Sequence, residues 1–195
     1  MAVNLPDHGY LSVSPALLDF GGTLSPILGG PDQRIVRLGS RFQITITTEP
    51  MLSREEGRVF RQRLMRAKSE GAITRWPLDF APGDPGSPVI NGSVTGGSTI
   101  SIRGLTPGYT IREGQFFSII RGARRYMHSS NSGVTAGGAT ATLTITPMLR
   151  VPLLDGDTVE LAEPMIQGLI DGDALGWERA AHGKFPFTYT IREME

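Results

Sequence analysis

The sequence predicts a mainly β protein, a β-barrel or β-sandwich with one α-helix packed on it, built as one domain or as two small β subdomains. Three observations predict this. Apolar and polar residues alternate with period two, most cleanly over 42–48 (FQITITT) and 140–146 (TATLTIT). The 25 glycines and 14 prolines are spread along all 195 residues and leave the apolar runs between them intact, as the turns of a many-stranded protein do. A helical stripe stands out in one stretch, 53–69.

The first 32 residues are punctuated by Pro6, Pro15, Pro26 and Pro31 and by two Gly-Gly pairs. Apart from a short strand at 10–14, they read as an extended arm that is better ordered against a partner than alone. Strands follow at 34–38 and 42–48, the second with Phe42, Ile44 and Ile46 on one face. Ser53 and Glu56 fit a capping box at the start of the helix, Gly71 fits its stop, and Phe60, Leu64 and Ala67 form the stripe that packs on a sheet. Residues 33–80 therefore form a core of split-barrel character, with 73–80 as an edge strand because Pro77 lacks a ladder donor.

Residues 81–98 read as a Pro/Gly-rich connector. From 99 to 195 the chain reads as an antiparallel meander that completes the barrel or forms a second subdomain. Its organising stretch is 114–161. A hairpin at 115–128 turns at Gly122-Ala123, a Gly/Ser-rich loop follows, and a strand at 140–146 is ended by Pro147. The turn Asp155-Gly156-Asp157 then leads into a strand at 158–161. The last strand, 185–191, sets Phe187, Tyr189 and Ile191 against polar neighbours.

Composition excludes several functions. There is no cysteine, hence no disulfide and no thiolate chemistry, and 19 basic residues balance 19 acidic ones, which gives no excess for nucleic acid. No apolar stretch is long enough to span a membrane, and the N-terminus has no signal-peptide character, so a cytosolic origin is expected. His8, His128 and His182 have no metal-ligand spacing, and His128 reads as a polar-face residue of a strand. No nucleophile elbow exists, and the glycine pairs precede strands rather than the helix a phosphate loop needs. Asp155/Asp157 and Asp171/Asp173 read as turns before calcium ligands. No catalytic, cofactor or metal residue is assigned, and an enzyme is not expected. The basic helix face (Arg54, Arg58, Arg61, Arg63, Arg66, Lys68) reads as solvated surface rather than a recognition face. Trp76, Trp177, Tyr109 and Tyr126 are the candidate platforms for the alternative reading, a non-catalytic carbohydrate-binding β-sandwich module of a tail or baseplate.

Two stretches carry a resemblance. Residues 30–51 (GPDQRIVRLGSRFQITITTEPM), leading directly into the capped helix, resemble the opening of distal tail proteins of tailed bacteriophages, with Phe42 where that family often has tryptophan. Gly114-Gln115-Phe116-Phe117, Arg125-Tyr126-Met127, the run 137–145, Pro147-Met148-Leu149-Arg150 and Asp155-Gly156 are similar to a run common in phage tail-tip and minor tail proteins. Met148 stands where that run often has a second proline. The resemblance implies a structural virion protein, a ring (hexamer or trimer) at the distal tail or tail tip that connects tail tube to hub and fibres. It would be assembled in the host cytoplasm without nucleic-acid specificity or membrane. On this reading, residues 1–32 and 81–97 contact neighbouring subunits.

Overall fold

A computed structural model of the chain describes residues 2–52, 55–177 and 183–194. In chain order the strands are β1 (Val3–Asn4), β2 (Tyr10–Leu18), β3 (Gly22–Leu24), β4 (Gln33–Ile35), β5 (Arg41–Thr48) and β6 (Met51–Leu52). The helix α1 (Glu56–Glu70) follows, then β7 (Ala72–Arg75), β8 (Gly86–Ile90), β9 (Gly97–Leu105), β10 (Thr110–Ile111), β11 (Phe116–Arg121) and β12 (Arg124–Ser130). The last are β13 (Val134–Thr135), β14 (Thr140–Leu149), β15 (Thr158–Glu160), β16 (Met165–Ile170), β17 (Lys184–Phe185) and β18 (Thr188–Glu193). The protein is mainly β with one helix among the described residues, as the sequence predicts. Two units share the chain: a six-stranded sheet ordered β1-β7-β16-β18-β5-β2, with α1 packed on it, and a closed six-stranded barrel ordered β11-β12-β14-β9-β8-β15.

Each unit has its own core. Phe42, Ile44, Ile46, Phe60, Leu64, Trp76, Ile166, Phe187 and Ile191 lie between sheet and helix. Ile100, Ile102, Phe117, Ile119, Leu143, Ile145 and Val159 fill the barrel. The hairpin β11–β12 is the wall between them: Phe117 and Ile119 point into the barrel, while Met127 and Phe116 pack with the sheet core. Covered on both faces, it shows continuous buried runs (Phe117-Ser118-Ile119 and Tyr126-Met127-His128) instead of alternation. Gly122 supplies the positive φ (62°) that its two-residue turn requires.

Several strands differ from the sequence reading. β16 and β18 leave the meander and pair with β7 and β5 of the N-terminal half, so the last 30 residues complete the sheet rather than the barrel. The expected arm narrows: Val3 and Leu5 are core residues, and β2 runs nine residues along β5. β7 is not an edge strand, because β1 pairs parallel to its outer side and Pro77 falls beyond its end. The connector contributes β8, with Pro88 inside it, and β14 continues through Pro147 to Leu149. Both prolines lie where the pairing register shifts, Gly86/Val89 and Thr144/Leu149, so the regular ladder does not call on the missing N–H.

The helix begins at Glu56, behind an N-cap Glu55 that makes no side-chain cap bond, rather than at Ser53. Its start is delayed because Leu52 is still paired in β6 and its carbonyl accepts from Glu55 N–H at 3.4 Å. Ser53 itself lies outside the described residues. At the other end Gly71 (φ 86°) stops the helix, its N–H donating to Ala67 O at 2.9 Å. The predicted stripe Phe60, Leu64, Ala67 is the buried face.

Candidate functional site

The apolar surface of this protein is concentrated between residues 11 and 38. Leu11, Leu17, Phe20, Leu24, Val36 and Leu38 are all well exposed, and Ile27 and Leu28 are fully exposed. Contiguous exposed apolar residues on a folded chain mark an interaction surface. Two structural features position them. The strand β2 is the last strand of the sheet, and all nine of its residues are exposed or half-exposed. An edge strand of this length is a template for another chain, and Pro15 within it fits that edge position. The β3–β4 hairpin then projects from the sheet, with residues 25–32 as its tip. Gly29 (φ 77°) closes the tip, donating its N–H to Pro26 O at 3.2 Å.

The base of the hairpin is fastened while its tip is bare. Asp19 accepts hydrogen bonds from Gly21 N–H (2.8 Å) and Ser40 Oγ (3.1 Å), and Arg34 closes an ion pair on it. Those contacts, the Gly21 N–H first, hold the Asp19 carboxyl below its ordinary pKa. Arg34 also donates to Thr23 Oγ1 at 3.3 Å, joining the two legs, and Arg41 stacks over the Phe20 ring at 4.9 Å. Beside the hairpin runs a groove of about 320 Å³, walled by Leu17, Val36 and Arg37 on one side and by Ser98, Pro147 and Met148 of the barrel on the other.

The residues singled out from the sequence are scattered. His128 is not on a polar face: it is fully buried in the shared wall, with Nδ1 2.9 Å from Pro147 O, and burial pushes its pKa down to about 4. His8 meets the Phe60 ring edge-on at 5.4 Å, and His182 lies outside the described residues. Asp155 and Asp157 form a turn. Asp155 pairs with Arg103 and accepts from Gly92 N–H, while Asp157 accepts from Leu154 N–H at 2.7 Å. Asp171 pairs with Arg192 at 3.0 Å. No group of three or more His, Asp or Glu side chains is placed to hold a metal ion among the described residues.

On the helix, Arg66 pairs with Glu70 at 3.1 Å, Arg63 donates to Asn4 O and Lys68 to Ile170 O, so much of the basic face is tied to its own molecule. Arg54 lies outside the described residues. Of the aromatic platforms, Trp76 and Tyr126 are buried, and the Tyr109 hydroxyl accepts from Gln115 Nε2. Trp177 is 44% exposed, with Arg61 over its ring at 5.4 Å.

The sequence reading expected an arm over 1–32; β1 and β2 belong to the sheet instead, and the exposed apolar hairpin beyond them was not foreseen. Part of the signal was present: Leu24, Ile27 and Leu28 are apolar residues set among glycine and proline, whereas Val36 and Leu38 were expected in a strand at 34–38 that ends at Ile35 and leaves both exposed. Compared with known proteins, the chain matches no family model and no curated sequence.

Proposed function

We propose that this chain is a structural component of a bacteriophage tail, a ring-forming distal-tail or tail-tip protein that joins the tail tube to the hub and fibres. The observation that carries this reading is the bare apolar hairpin with Ile27 and Leu28 at its tip, placed beside an open nine-residue sheet edge. Both features suit a subunit that is finished only by its neighbours. The resemblance of residues 30–51 and 114–156 to tail proteins supplies the assembly to which such a subunit belongs.

The experiment is assembly of the full chain. Deleting residues 1–28 is a poor test, since it removes Val3, Leu5 and β2 from the sheet. The double substitution Ile27→Asp/Leu28→Asp touches only exposed side chains and is expected to leave folding within about 0.5 kcal/mol of wild type while abolishing assembly. Rings that form normally with both aspartates in place would remove the hairpin from this role.

A further inference from the structure

The barrel is closed unevenly. Strands β8 and β15 share one ladder pair among the described residues, Val89–Thr158, supported at one end by Ile90 N–H to Asp157 O (2.8 Å) and Gly156 N–H to Ile90 O (3.0 Å). Towards Gly86 on one strand and Leu161 on the other they diverge. The cleft between them is about 500 Å³ and is lined by Pro85, Pro88, Leu161, Ala162 and Met165. Glu163 stands at its rim, its side chain 64% exposed and 3.6 Å from Arg75. A splayed strand pair with an apolar floor is a place where a segment of another chain docks.

Resting on the ring reading above, we infer that the occupant of this cleft is the β3–β4 hairpin tip of a second copy of this chain. Three observations select it. The tip offers two fully exposed branched aliphatic side chains, Ile27 and Leu28, and the cleft offers apolar lining of matching character. Charge is complementary: exposed Arg37 flanks the hairpin, and Glu163 edges the cleft. Finally, a copy cannot fill its own cleft. The hairpin lies along β14, sharing a groove with Pro147 and Met148, and β14 is three strands from β15 in either direction around the six-stranded barrel. Donor and acceptor therefore sit on opposite sides of the barrel. A contact between two different patches on opposite sides is head-to-tail, and repeated with a rotation that closes it generates a ring.

The chain has no cysteine, so a two-site cross-link reports this contact cleanly. Leu28→Cys/Ala162→Cys is oxidised at high protein concentration, with light scattering of the same sample before oxidation, and each single variant serves as control. The expected result is a ladder of disulfide-linked species reaching the mass of the assembly in the double variant, dimers at most in the single variants, and loss of the ladder on adding Ile27→Asp. Rings that assemble but give no ladder would overturn this docking while leaving the ring reading intact. A chain that never assembles would overturn both.

Discussion

Glu193 carries a buried carboxylate that three parts of the chain share. It sits on the last strand, accepts Phe42 N–H of the sheet at 3.1 Å and Met127 N–H of the barrel wall at 2.7 Å, and pairs with Arg150 just beyond β14. Both side chains are almost wholly enclosed, and Arg150 also lies over the Tyr126 ring at 5.2 Å. Burial pushes the Glu193 carboxyl pKa up, against the pull of Arg150 and the two N–H donors. Removing one partner of such a pair strands the other charge, so Glu193→Ala is expected to cost about 3–5 kcal/mol in urea unfolding. His128 gives a pH dependence. Its folded pKa of about 4 lies below the unfolded value of 6.5, so the unfolded chain binds the extra proton between these limits. Stability is full above pH 6.5 and falls as pH drops towards 4, at up to about 1.4 kcal/mol per unit. Unfolding midpoints measured from pH 7 to 4 should show that component in wild type and lack it in His128→Asn. No period-two pattern announces His128, which belongs to a strand buried on both faces; Glu193 falls on the buried face that Tyr189 and Ile191 begin, but its partners lie 66 and 151 residues away.

At the scale of elements, strands with one wet face were legible from their alternation, and the doubly covered hairpin β11–β12 from its apolar runs and the Gly122-Ala123 break between them. β5 and β14 alternate as their sequences do, and α1 shows its stripe, because each buries one side only. Pro88 and Pro147 misled in the same way. A proline signals a missing donor, but nothing local says that the register shifts there. The pairing of β16 with β7 was also hidden, since nothing in a strand's own residues names a partner as distant in sequence as Met165 is from Arg75. Gly168 marks the junction of β16 with β18: a Cβ at this position would lie 2.0 Å from Arg192 O of β18. Gly168→Ala must push the two strands apart and is expected to cost roughly 3 kcal/mol. Hydrogen exchange should show protection lost first along β16 and β18. Protection unchanged there would mean that the sheet absorbs the methyl elsewhere.

The whole molecule joins a sheet and a barrel through one hairpin and presents its apolar excess on the side where β2 and the β3–β4 hairpin emerge. Within the sequence, the fold class was legible. The sharing of the sheet between both ends of the chain, and the narrowing of the arm to a stapled hairpin with a bare tip, depend on long-range pairing and were not. A subunit so built is expected to be complete only in company. The most direct measurement is the mass of the full chain in solution by light scattering, with negative-stain images of the same peak, alone and after addition of tail-tube and hub components. A closed ring in either condition, lost in Ile27→Asp/Leu28→Asp, is the expected result. A protein that stays monomeric at every concentration and ignores tail components would contradict the proposed tail role.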